Sequence, residues 1–120
     1  MSYDIELKDP VSKEIIMIPY NHAMTGGTYE VGGSNRLSLN ITYNYSKHYY
    51  NVIDKEEGIR LLYGKTGLES IPILEQAINK LADNVDEDNY WASTQGNAKR
   101  PLIQLLTMAR MRPDGIWGGD

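Results

Sequence analysis

With 120 residues, 41% of them hydrophobic, the chain is long enough to bury a core and too apolar for a disordered segment. Its 16 acidic and 12 basic side chains give a net charge of −4 with no basic stripe, which argues against duplex DNA or RNA as a partner. The lack of cysteine excludes disulfides, thiolate metal sites and a cysteine nucleophile.

The N-terminus, MSYDIELKDP, has neither the basic nor the apolar region of a signal peptide. No apolar run approaches the length of a membrane span. The expectation is a single domain over residues 1–120, in the cytoplasm, with no membrane partner. Phenylalanine is absent while tyrosine occurs nine times and tryptophan twice, so nearly all aromatic volume carries a polar tip suited to half-buried positions and wet pockets.

In chain order, Tyr3 to Lys8 alternates strictly and predicts a strand with Tyr3, Ile5 and Leu7 inward. Asp9-Pro10 signals a turn. Glu14 to Ile18 (EIIMI) predicts a second strand ended by Pro19 and paired with the first as a hairpin. Residues 20–27 have no period and read as a loop containing His22. Thr28 to Val31 is a brief third strand, and Gly32 to Asn35 is a turn.

The stretch from Arg36 to Tyr50, RLSLNITYNYSKHYY, then changes period. Leu37, Leu39, Ile41 and Tyr43 alternate with polar residues as in a strand with one buried face, whereas Tyr45, Tyr49, Val52 and Ile53 suit one face of a helix. This assignment sends Tyr43, Tyr45 and Tyr49 inward and leaves His48 and Tyr50 off the apolar face.

The second half reads as helical. Asp54 to Glu57 forms an acidic first turn leading into Ile59, Leu61 and Leu62, and Gly64 and Gly67 stop that helix. Ser70 is the N-cap candidate for the next helix, with Pro72 just inside and Ile71, Leu74, Ile78 and Leu81 on its apolar face, ending near Ala82. An acidic loop, 83–89, precedes Tyr90 and Trp91. The last helix spans about Asn97 to Met111, with Leu102, Leu105, Leu106 and Ala109 inward, until Pro113 stops it. The fold class is therefore α+β, an N-terminal antiparallel sheet of about four strands packed against three or four C-terminal helices.

Motif chemistry is sparse. Gly64-Lys65-Thr66 looks like the end of a phosphate loop, but Gly58 stands at the wrong spacing and a helix-like stretch intervenes. His22 and His48 lie far apart in sequence with no metal-ligand spacing, and the paired acids sit in solvated runs. No metal site, cofactor or catalytic residue is assigned, and an enzyme is the minority reading. The tail from Arg112 to Asp120, RPDGIWGGD, places Ile116 and Trp117 after a Pro-Asp-Gly turn, which predicts that it folds back and docks. Trp117 then either caps the core or walls a pocket with Trp91 and the tyrosines.

Together YDIEL-DP, NITYNYSKHYY, GIRLLYGKTG and RPDGIWGGD resemble a group of small phage and mobile-element proteins. The resemblance implies a role such as antagonism of host defence in the host cytoplasm, by capturing a signalling nucleotide or a host protein. From the residues, the expected function is a non-enzymatic binding protein for a small anionic or nucleotide-like ligand. His48, Tyr50, Trp91, Arg100, Arg110, Arg112 and Trp117 are the candidate contacts, by aromatic stacking and arginine–anion pairing. The alternatives are a protein–protein inhibitor or adaptor with an exposed aromatic surface, an orphan hydrolase using His48 with a carboxylate, and a homo-oligomer with its site between protomers.

Overall fold

The computed structural model describes residues 1–22, 34–89 and 91–120. Strand β1 (Ser2–Lys8) is the centre of a three-stranded antiparallel sheet. On one side it pairs with β4 (Ser38–Thr42), from Ser2 opposite Thr42 to Glu6 opposite Ser38. On the other it pairs with β5 (Ile116–Gly119), from Ile5 opposite Gly119 to Lys8 opposite Ile116. A second, two-stranded sheet joins β2 (Met17–His22) to β3 (Ser34–Arg36). Three α-helices follow β4: α1 (Ser46–Val52), α2 (Gly67–Lys80) and α3 (Gln95–Met111). A 3-10 turn at Tyr43–Tyr45 leads into α1 and another, Gly58–Leu62, lies between α1 and α2.

This is the α+β arrangement that the periodicities predict, with two additions. The tail supplies a fifth strand, and the strands divide into two sheets. Pro19 does not end β2, which runs through it to His22. With β3 as its one strand partner among the described residues and an irregular register between Met17 and His22, β2 has there an edge on which a missing N–H is tolerated. The hairpin expected between the first two strands is reduced to a bridge between Lys8 and Ile15, closed by the Asp9 amide donating to the Glu14 carbonyl. The strand expected at Thr28–Val31 lies outside the described residues.

Alternation places most of the sheet's inward residues, but Thr42, expected outward, is buried, and Tyr43 lies in a 3-10 turn rather than in the strand. Tyr3, Ile5, Leu7, Leu37, Leu39 and Ile41 are all buried, as are Tyr45 and Tyr49 from the helical part of the junction, while Tyr43 is half-buried against the same core. Each fully buried Leu or Ile contributes roughly 1.5–3 kcal/mol of transfer free energy. Tyr49 buries its hydroxyl as well and donates it to the Ala98 carbonyl at 2.9 Å, tying α1 to the first turns of α3.

Helix α2 begins four residues before the expected Ser70 cap. Thr66 is the N-cap: its hydroxyl accepts the Glu69 amide at 3.1 Å, and the Glu69 carboxylate accepts the Thr66 amide at 2.9 Å. This reciprocal box satisfies two otherwise orphaned donors. Gly64-Lys65-Thr66 is thus the turn into a helix, consistent with its failed match to a phosphate loop. Upstream, Asp54 accepts the amides of Glu56 and Glu57, but Gly58 takes φ +58° and the following turn closes as 3-10 rather than α. Thr94 caps α3 in the same way as Thr66, through the Asn97 amide at 3.0 Å.

The tail lies in a slot. β1 holds one edge of β5, and the segment before α2 holds the other: the Trp117 amide donates to the Lys65 carbonyl at 2.9 Å and the Gly64 amide to the Trp117 carbonyl at 2.8 Å. No helix among the described residues is long and apolar enough to cross a membrane.

Candidate functional site

The candidate site is a cleft of about 370 Å³ lined by Tyr3, Tyr43, Ser46, Tyr50 and Arg60. Three pieces of chain build it. Tyr3 comes from β1, whose register with β4 sets it opposite Ile41, two residues before Tyr43. Ser46 and Tyr50 are four residues apart on α1, and so on one face of it. Arg60 comes from the 3-10 turn. Gly58, at the start of that turn, lets the Tyr50 ring settle on the backbone; a Cβ there would lie 3.2 Å from Tyr50 Cε1.

The rings are fixed by more than packing. Tyr3 and Tyr43 meet edge to face, centroids 4.6 Å apart at 69°. Ser46 donates its hydroxyl to the Tyr43 carbonyl at 2.6 Å, so its oxygen accepts the Tyr3 hydroxyl at 2.8 Å. Arg60 closes the cleft, its guanidinium carbon 4.8 Å from the Tyr3 centroid and 5.7 Å from that of Tyr43. Nη2 donates to the Tyr43 hydroxyl at 3.2 Å and Nε to the main-chain oxygen of Asp120 at 2.9 Å. Partial desolvation pulls the Arg60 pKa down, but the Tyr43 hydrogen bond and the negative charges that Tyr43, Tyr3 and Tyr63 would carry outweigh it and hold the pKa above its ordinary value. Burial pushes the neighbouring Tyr63 phenol up to about 12, against the lowering effect of Arg60.

Arg60 differs from the arginines that the sequence singled out. Arg100 pairs with Glu87 at 3.4 Å, Arg110 with Glu75 at 3.6 Å, and Arg112 with Asp114 at 2.9 Å and Asp9 at 3.3 Å. No side-chain carboxylate among the described residues pairs with Arg60; its partners are a phenol, the main-chain oxygen of Asp120 and two rings. The remaining candidates are dispersed. Trp117 fills the core, 1% exposed, and Trp91 is exposed with its carbonyl accepting the Asn44 side-chain amide at 3.0 Å. His48 Nε2 lies 3.2 Å from both the carbonyl and the hydroxyl oxygen of Ser93, so His48 and Trp91 meet the same loop, on which Arg100 also closes through Glu87. Tyr50 is the member of the set that lines the cleft.

Tyr3, Tyr43, Ser46 and Arg60 were missed as site residues. Tyr3 and Tyr43 read as inward strand positions, and the sequence alone assigns Arg60 no role. The local signal is Gly58, whose φ of +58° opens the 3-10 turn that carries Arg60. The chain matches no protein-family model, no curated protein and no solved structure. The cleft is therefore read from its own geometry.

Proposed function

We propose that the protein is a binding protein whose Tyr3–Tyr43–Ser46–Tyr50–Arg60 cleft takes a small anionic, nucleotide-like ligand. The observation that carries this reading is Arg60: a permanent cation held over two tyrosine rings at the rim of a cleft, with no side-chain carboxylate paired to it among the described residues. Aromatic packing orients the guanidinium, and an arginine so oriented recognises phosphate or carboxylate through paired N–H donors. The Tyr50 ring, backed on one side by Gly58, offers a stacking surface for a planar base, and stacking on an aromatic face tolerates any base. In the setting implied by the sequence resemblance, such a protein antagonises host defence by holding a signalling nucleotide away from its receptor.

Calorimetric titration and thermal shift with mononucleotides, cyclic nucleotides and inorganic phosphate test this reading. The expected result is saturable binding by at least one nucleotide, lost in Arg60→Met. If no nucleotide raises the melting temperature at millimolar concentration, or if Arg60→Met binds as well as the parent chain, the reading fails.

A further inference from the structure

The guanidinium at the cleft rim also closes a latch on the tail. The main-chain oxygen of Asp120 accepts Arg60 Nε at 2.9 Å and the Tyr63 hydroxyl at 3.1 Å, while its side-chain Oδ1 accepts the Asp4 amide at 2.8 Å. Gly119, the residue before it, passes so close to β1 that a Cβ would collide with the Asp4 carbonyl oxygen and the Tyr63 hydroxyl. Asp120 is thus gripped by β1, by the 3-10 turn and by Tyr63, and glycine is what lets it reach them.

This grip decides which donors Arg60 has left. A guanidinium carries five N–H donors in one rigid plane, and it meets an anion either side-on, through Nε and one Nη, or end-on, through both Nη atoms. Here Nε is committed to Asp120 and one Nη2 hydrogen to Tyr43. The side-on fork is therefore engaged by the protein itself, and both Nη1 hydrogens with the second Nη2 hydrogen are the donors left for the cleft. Because the plane is rigid, fixing one edge fixes the other.

We infer that the docked tail is a positioning device for the cleft: Asp120, by holding Nε, aims the remaining Nη donors of Arg60 at the ligand, so that tail docking and anion binding strengthen each other. This rests on the reading of the cleft as an anion site. Coupling between two sites is reciprocal, so a bound anion must also tighten the tail by the factor by which the tail tightens the anion.

The experiment uses adenosine monophosphate and inorganic phosphate as probes on the full chain. Gly119→Ala, which drives Asp120 off Arg60, is expected to weaken binding by about five-fold or more, and Asp120→Ala, which releases only the Asp4 contact, by less. In the parent chain either probe is expected to slow hydrogen exchange at the amides of residues 116–119. Trp117 near-ultraviolet circular dichroism reports whether β5 is still docked. Gly119→Ala binding within two-fold of the parent, with that signal retained, overturns the coupling and leaves the cleft reading intact. If Gly119→Ala loses the signal, the exchange measurement decides, and no slowing on adding either probe overturns the coupling. A parent chain that binds neither probe nor any of the other mononucleotides and cyclic nucleotides overturns the cleft reading, and this inference falls with it.

Discussion

The Trp117 indole N–H donates to the Ser70 hydroxyl at 2.8 Å, and Ser70 passes its own proton to the Gly67 carbonyl at 2.7 Å. Both side chains are buried, and together they join the tail strand to the first turn of α2. Replacing Ser70 with alanine leaves the indole donor buried and unpaired, which costs about 1–3 kcal/mol. Urea unfolding is the measurement. Ser70→Ala combined with Trp117→Phe is expected to cost less than the two single changes added together, because the orphaned donor is then gone. Strict additivity contradicts the pairing.

Thr66→Ala removes the hydroxyl half of the capping box and is expected to cost about 1 kcal/mol. Thr66→Ser should recover most of that, since serine offers the same acceptor. An alanine variant with an unchanged urea midpoint shows that the turn, not the cap, sets where α2 begins.

Acid stability hangs partly on the Asp9–Arg112–Asp114 cluster. Asp9 is held below its ordinary value of 3.8 mainly by the amides of Ser12 and Val11, with Arg112 adding to them; Asp114 is held below it mainly by its Arg112 hydrogen bonds. Both folded-state values are depressed, so their contribution is complete above 3.8 and is lost as pH falls through the lower folded-state values. Arg112→Leu is expected to flatten the acid limb of the stability curve through the Asp114 share, while the amide-held share of Asp9 persists. The check is the denaturant midpoint measured down the acid range. An acid limb of unchanged steepness in Arg112→Leu refutes the assignment.

In the cleft, charge and stacking separate by ionic strength. Nucleotide binding to the parent chain is expected to weaken as salt is added, because Arg60 lies at a partly solvated rim. Tyr50→Ala should lower affinity by about 1–3 kcal/mol for a stacked base while keeping that salt dependence. Titrations at low and high salt decide it, and a Tyr50→Ala variant that loses its salt sensitivity contradicts the division of labour.

Much of the fold was legible because it is written in local periods. Tyr3, Ile5 and Leu7 alternate, Tyr45 and Tyr49 step by four, and each pattern needs only near neighbours to declare its buried face. What stayed hidden depends on contacts between distant residues. Ser70 looks like a helix cap from its neighbours, and only Trp117, 47 residues on, shows that its hydroxyl is spent inside the core. The same holds for the cleft. Arg100, Arg110 and Arg112 are the arginines the sequence offers as anion contacts, yet carboxylates from elsewhere in the chain engage each of them. Arg60 stood out by nothing, and the Asp120 oxygen that orients it lies 60 residues away.

A strand flanked by one partner close to it in sequence, Ser38–Thr42, and one far from it, Ile116–Gly119, also sets a schedule. β1 is made before either partner, can meet β4 once that strand has emerged, and must then wait for the Trp117 segment before its second edge is covered. Through that interval the nascent chain carries an open strand edge beside Leu7 and Ile5, the kind of edge that pairs with other chains. Slow translation between β4 and β5 lengthens that exposure, so yield in the cell is tied to how quickly the stretch between them is read.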